Sequence, residues 1–223
     1  MFLVVCATEF EMQALTVTDL VPSGQGAWIP LVTGVGVVET VLSLSRFLDQ
    51  HENKEKIQGV LNFGVAGAYL CDNEESADLL DICLAEREVF GDFGICYPES
   101  IEPLAEHLVH RTNYDLDVEL FNKAYALLSK ENLPVKSGNF VTVCGVSGTK
   151  SRGDLLCSHY NGLCENMEGA AVARVCEEFT LPLLEVRTIS NFVEDRNLLR
   201  WKLPEACTLA GKATAILLKG LTE

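Results

Sequence analysis

No stretch of this 223-residue chain approaches the roughly 20 uninterrupted apolar residues that a bilayer-spanning helix needs, so a membrane-embedded protein is not expected. Positive charge is scarce: 17 Lys and Arg stand against 32 Asp and Glu, for a formal net charge of −15. A surface this acidic repels phosphate backbones and anionic lipid, which sets nucleic acid and membranes aside as partners. An anionic small molecule stays admissible in a locally basic pocket. The nine cysteines contain no C-x-x-C pair and no zinc-ligand spacing. Their odd number and their places in apolar runs read as small buried hydrophobes in a reducing cytoplasm, the expected location. His51, His107, His110 and His159 fall in charged or irregular surroundings, and none pairs with a Ser or Cys as a nucleophilic triad requires. The N-terminal Met1-Phe-Leu-Val-Val-Cys6 lacks a basic leader and reads as a strand, not a signal peptide.

What is present is enough apolar residue, 48% of the chain, for a sizeable core, and one domain over residues 1–223 is expected. Strands are expected at Phe2–Cys6 (taken as a sheet edge), Ala27–Thr33, Gln58–Phe63, Asp81–Glu88, Lys136–Val143, Leu163–Asn166 and Leu181–Ser190. An acidic loop, Asp72–Asp78, precedes the fourth of these. Helices are expected at Val37–Leu48, Asp117–Lys130, Met167–Phe179 and Leu203–Lys219, with another beginning within Gly148–Leu156. The irregular stretch Gly91–Asp115 is a candidate loop for completing a partner subunit's pocket. This order favours an α/β domain with a mixed central sheet covered on both faces, in which ligands bind beyond the carboxyl ends of strands. Three polar or glycine-rich segments follow strands: Ala7–Glu11, Gly64–Gly67 and Asn191–Arg196.

Several side chains in these segments invite a chemical reading, each beside a plainer one. Gly64-Val65-Ala66-Gly67 and Gly34-x-Gly36 offer backbone N–H groups to a ligand, or are simply tight turns. Glu9 and Glu11 are solvated loop carboxylates, or one of them orients a water. Glu168 complements a helix dipole, or accepts hydrogen bonds from two vicinal hydroxyls, as an acceptor-only carboxylate can. Asn191 is a turn residue, or presents a carbonyl to a protonated ring nitrogen and an NH₂ to a neighbouring oxo group. Arg187, inside an apolar strand, reads first as a structural ion pair.

Taken together, Ala7-Thr-Glu-Phe-Glu11, Thr33-Gly-Val-Gly36, Asn62-Phe-Gly-Val-Ala-Gly67, Asn166-Met-Glu168 and Val186-Arg-Thr-Ile-Ser-Asn191 resemble the purine nucleoside phosphorylase and nucleosidase superfamily, in the family's order and over almost the whole chain. The resemblance implies a nucleoside phosphorylase-like three-layer α/β/α fold with a mixed central sheet. It also implies assembly as a homodimer or larger homo-oligomer, and cleavage of an N-glycosidic bond without metal or organic cofactor. By position it implies that Glu11 activates water, that Met167 packs on ribose and that Glu168 accepts its hydroxyls. The substrate-binding set it implies is Gly64, Val65, Ala66, Gly67, Val146, Asn166, Met167, Glu168 and Asn191. Val146 falls where the nucleosidases place an aromatic against the purine. Asn191 stands where the adenine-cleaving members carry Asp, which turns the expectation toward a 6-oxopurine, with Asp195 as the fallback acid. Ser190-Asn-Phe-Val-Glu-Asp-Arg196 with Arg200-Trp201, and Glu86–Gly94, look most like the futalosine hydrolase branch, whose substrate is a hypoxanthine nucleoside with a carboxyphenyl ketone tail on a route to menaquinone. Arg152, Arg196 and Arg200 are candidates for that carboxylate. The rivals are a methylthioadenosine/S-adenosylhomocysteine nucleosidase, an inosine phosphorylase, and a nucleoside-binding protein without catalysis.

Overall fold

Apolar alternation on two faces builds the sheet. The computed structural model describes residues 1–18, 20–21, 27–52, 54–70, 76–109 and 111–222. Cys71, His110 and the first part of the expected loop Asp72–Asp78 lie outside the described residues. The elements run β1 (Phe2–Cys6), α1 (Glu9–Thr16), β2 (Trp28–Val32), α2 (Val37–Gln50), β3 (Gly59–Ala68), β4 (Ile82–Phe90), β5 (Ile95–Cys96), β6 (Ile101–Glu102), β7 (Asn113–Asp115), α3 (Val118–Lys130), β8 (Val135–Thr142), α4 (Lys150–Tyr160), β9 (Gly162–Asn166), α5 (Gly169–Glu178), β10 (Leu183–Phe192) and α6 (Leu203–Thr222).

Eight strands form one mixed sheet. β1 pairs in parallel with β2 and β3, and β3 pairs in parallel with β10. β10 is antiparallel to β4, β4 parallel to β8, β8 parallel to β9, and β9 antiparallel to β3. That part of the sheet therefore closes on itself, with β1 and β2 extending from β3. β1 is thus interior, and its expected edge position is wrong. The physical reason lies in its side chains: Leu3 and Val5 pack with Leu44, Leu48, Ala170 and Val172, while Phe2, Val4 and Cys6 pack with Met12, Leu15, Ala210 and Leu217. A strand apolar on both faces needs helices on both. α2 and α5 cover one face and α1, α3 and α6 the other, which is the three-layer α/β/α arrangement. Among the described residues, no helix is long and apolar enough to cross a membrane.

Two corrections bear on the site. The segment Ala7–Glu11 is not a loop, because Thr8 and Glu11 form a capping box that starts α1. The segment Gly64–Gly67 is not a turn either, because β3 runs on through it against β10, from Gly64 opposite Arg187 to Gly67 opposite Asn191. The glycines there make room. A Cβ on Gly64 would lie 2.5 Å from Glu11 Oε1 and 2.9 Å from Arg187 Nη1, and one on Gly67 would lie 3.1 Å from Asn191 Nδ2. Not all the described cysteines are buried: Cys6, Cys83, Cys157, Cys164, Cys176 and Cys207 are, but Cys96 and Cys144 are exposed.

Candidate active site

The end of β1, the far half of β3, the end of β9 and the end of β10 converge on a cavity of about 210 Å³. Of the residues expected to bind or react, Glu11, Val65, Ala66, Gly67, Val146, Asn166, Met167, Glu168 and Asn191 line it. Gly64 does not; it sits behind the wall, against Glu11 and Arg187. Asp195 lies outside, accepting from the Lys150 N–H at 3.1 Å.

The N-terminal turn of α1 presents Glu11. Its Oε2 accepts from the Thr8 N–H at 3.0 Å and the Thr8 hydroxyl at 2.8 Å, and its Oε1 from the Val65 N–H at 3.2 Å. Three donors and a 5% exposed side chain hold this carboxylate in one place with little solvent. Cys6 stands beside it and is no nucleophile: burial first, then the Glu11 charge, push its thiol up to about 12.

Glu168 caps the entry to α5. Its Oε1 accepts from the Gly36 N–H at 2.9 Å, and its Oε2 lies 3.5 Å from Arg187 Nη1. The glycine turn before α2 thus serves a carboxylate of this chain, and Gly36 can do so at φ +89° because it has no Cβ. Arg187 also reaches Glu185 through Nε at 2.9 Å and donates to the Val65 carbonyl at 3.3 Å. The ion pair expected in the sequence is therefore a three-residue one that ties Glu168 to the sheet.

Asn166 faces the cavity, but its side-chain amide is used inward. Its Oδ1 accepts from the Glu168 and Gly169 N–H groups at 2.9 and 2.7 Å, and its Nδ2 donates to Glu88 at 2.6 Å. Thr142 donates to the other Glu88 oxygen at 2.7 Å. Glu88 and Glu185 both turn toward Gly169, where a Cβ would collide with them. Burial, then the Glu185 charge, raises Glu88 well above the ordinary carboxylate range. Burial raises Glu185 as well, against the opposing pull of Arg187. Arg187 sits on Glu185, so of this buried pair Glu88 is the carboxyl driven more strongly to hold a proton.

A carboxyl that binds its proton more tightly when folded makes the folded state less stable as pH rises from the ordinary carboxylate range toward the raised value. Glu88→Gln removes that dependence. The glutamine carbonyl can accept from Asn166 and its NH₂ can donate to Thr142, which then donates to Asn166 Oδ1, 3.1 Å away. Thermal melts are expected to show the wild type losing ground to Glu88→Gln as pH climbs to neutrality. Parallel curves for the two proteins would place the proton elsewhere.

The loop after β8 closes another wall. Glu165 accepts from the Ser147 N–H at 2.8 Å and its hydroxyl at 2.7 Å, and Asp92 accepts from the Cys144 N–H at 3.0 Å. These bonds bring Val146 to the cavity. The stretch Gly91–Asp115 supplies Asp92 to that loop, and none of its described residues lines the cavity.

β10 carries a register shift between Ile189 and Asn191 that aims Asn191 at Gly67 and the cavity. Its Oδ1 accepts from the Ser190 hydroxyl at 2.8 Å and its Nδ2 donates to the Phe192 carbonyl at 3.1 Å. Arg196 and Trp201 complete the rim, the guanidinium 5.1 Å over the indole ring. The sequence reading had not placed Thr8, Ser147, Glu165, Ser190 or Trp201 at the site. The Thr8-x-x-Glu11 capping signature is legible in the sequence; Ser147, Glu165 and Ser190 each adjoin an expected site residue, but only the fold decides which way their side chains point.

The chain matches the phosphorylase superfamily over residues 3–223. It is 29% identical over 197 residues to the futalosine hydrolase of Thermus thermophilus, covering 86% of this chain and 81% of that one. The native structure of futalosine hydrolase of Helicobacter pylori superposes with a TM-score of 0.79 at 19% identity, covering 97% of this chain and 96% of that one. The 5′-methylthioadenosine/S-adenosylhomocysteine nucleosidase of Helicobacter pylori bound to butyl-thio-DADMe-Immucillin-A does so equally, at 0.79 and 19%, with the same coverage. At such identities the structural likenesses speak for the fold alone. With the match running from end to end, this chain belongs to the phosphorylase superfamily and is a nucleoside-hydrolysing enzyme of it.

Proposed function

We propose that this enzyme hydrolyses the N-glycosidic bond of futalosine, releasing hypoxanthine and dehypoxanthinyl futalosine in the route to menaquinone. The observation that carries the reading is the Asn191 amide on the wall of a cavity that also holds the buried carboxylates Glu11 and Glu168. An amide that cannot give up a proton suits an oxo-purine leaving group better than an adenine, whose departure calls for an acid. The futalosine hydrolase of Thermus thermophilus is a relative over most of both chains, which supports the same substrate.

In this reading the ribose hydroxyls reach Glu168, whose negative charge also lowers the energy of the oxocarbenium-like transition state. Met167 packs against the sugar. Asn191 accepts from the protonated ring nitrogen and donates to the oxo group as the base departs. Glu11 takes the proton of the attacking water. Water suits this wall better than phosphate. Glu11, Glu165 and Glu168 line it, and the Arg187 guanidinium is already held by Glu185, Glu168 and the Val65 carbonyl. Trp201 on the rim offers the aromatic face that Val146 does not.

Of the three arginines proposed for the carboxylate tail, Arg152 is bound to Asp92 at 3.4 Å and Arg200 to Glu194 at 2.8 Å, and neither lines the cavity. Arg196 lines it, and we assign the tail to Arg196. Val35 at the cavity, and the exposed Val38 and Leu42 on α2 after it, suit burial against a second copy in a cytoplasmic homo-oligomer.

Purified protein in phosphate-free buffer is expected to release hypoxanthine from futalosine faster than from inosine, and no adenine from methylthioadenosine at a comparable rate. Arg196→Met is expected to raise KM for futalosine by about 10–100-fold, the loss of one charge-assisted hydrogen bond, and to leave inosine unaffected. Release that requires added phosphate would make the protein a phosphorylase. Tight binding without release would make it a binding protein.

A further inference from the structure

A side-chain amide can turn over, and its two orientations read opposite bases. With the carbonyl toward the ring nitrogen and the NH₂ toward position 6, it accepts from a protonated nitrogen and donates to an oxo group. Turned over, it donates to a bare ring nitrogen and accepts from a 6-amino group. A ribose held at Glu168 leaves the base no freedom to turn over in compensation. Beyond the lack of an acidic proton, the hydrogen bonds of an asparagine at position 191 therefore do not by themselves choose between a 6-oxopurine and a 6-aminopurine; something must hold the amide.

The structure supplies the holder. Nδ2 of Asn191 points at the Phe192 carbonyl, 3.1 Å away, and a carbonyl can only accept. Oδ1 receives the Ser190 hydroxyl at 2.8 Å. Turning the amide would set two oxygens against each other at Phe192. It would also send the Ser190 proton back to its other acceptor, the Ala66 carbonyl at 3.3 Å. In the held orientation Oδ1 keeps a second lone pair and Nδ2 a second hydrogen for a ligand. Ser190 is 2% exposed, so water does not compete for its hydroxyl.

We propose that Ser190, together with the Phe192 carbonyl, fixes the polarity of the Asn191 amide and is thereby a specificity-determining residue that selects 6-oxopurines over 6-aminopurines. The proposal rests on the reading above in which Asn191 faces the base. Ser190 acts through Asn191 and touches no reacting atom; it is a positioning residue. Ser190→Ala removes only a hydroxyl from a buried strand position, and Ser190→Thr restores one.

The test uses a matched pair, futalosine and its counterpart with an amino group at position 6. The wild type is expected to favour the oxo nucleoside in kcat/KM by at least tenfold. Ser190→Ala is expected to shrink that ratio at least fivefold by losing activity on the oxo nucleoside while keeping or gaining it on the amino one. Ser190→Thr is expected to keep the ratio. Calorimetric binding of free hypoxanthine and free adenine to the same three proteins reads the same preference without turnover. A wild type that releases base from neither nucleoside would defeat the functional reading, and the binding ratio would still decide this proposal. Equal losses on both nucleosides in Ser190→Ala, or an unchanged hypoxanthine-to-adenine binding ratio, would overturn it, because a merely structural serine lowers both alike.

Discussion

Glu11→Gln is expected to lower turnover by about 10²–10⁴-fold, the contribution of a positioned general base. The substitution changes little in shape and removes the carboxylate proposed to take the proton from water. The surroundings also argue that glutamine will sit badly. Both oxygens of Glu11 accept from backbone N–H groups, Val65 on one side and Thr8 on the other. Either orientation of a glutamine amide sets its NH₂ against one of these donors, at a local cost of about 1–3 kcal/mol. Glu168→Gln is the companion case. Its carbonyl can still accept from Gly36, but the charge at the proposed ribose subsite is gone. Circular dichroism should show both variants folded, and single-turnover assays should show both nearly inactive. Near-normal turnover in both would remove the carboxylates from the mechanism.

Arg187→Leu is expected to destabilise the fold by about 3–5 kcal/mol, the usual consequence of taking one partner from a buried ion pair. Arg187 is 2% exposed and its charge is held by Glu185, Glu168 and Glu11, in that order. Without it Glu185 keeps no cation in a fully buried place, and Glu168 keeps the Gly36 N–H alone among these partners. The double variant Glu185→Leu with Arg187→Leu is expected to recover much of the loss, because the stranded charge goes with its partner. Urea denaturation of the two singles and the double gives the coupling directly. A single Arg187→Leu variant as stable as wild type would mean that Glu185 carries no charge in the folded protein. Activity should fall in either case, since Glu168 loses the contact that ties it to the sheet.

Much of this was legible in the chain. Both faces of Phe2–Cys6 are apolar, and the alternation of strand and helix signals called for a covered mixed sheet. The helices at Val37 and Leu203 begin at the expected residues, and α3 begins at Val118, one residue after the expected Asp117, which caps it. α1 was missed although its capping signature is local, because its few apolar residues make a weak amphipathic pattern. β3 was cut short at Gly64 because glycine reads as a turn in isolation. Here its missing Cβ admits Glu11 and Arg187, side chains 53 and 123 residues away in sequence.

By itself the sequence determined the covered α/β architecture, the acidic net charge, and the polar residues Glu11, Asn166, Glu168 and Asn191 that the cavity brings together. Those follow from composition, periodicity and the chemistry of single side chains. Only the tertiary structure decided that Asn166 spends its amide on the α5 entry and on Glu88, that Arg196 faces the cavity while Arg152 and Arg200 are bound elsewhere, and that Ser190 and Phe192 hold Asn191 one way round. Each of these is a choice among hydrogen-bond partners. Such choices depend on distances of a few ångströms, many of them between segments far apart in the chain, and on which groups water no longer reaches.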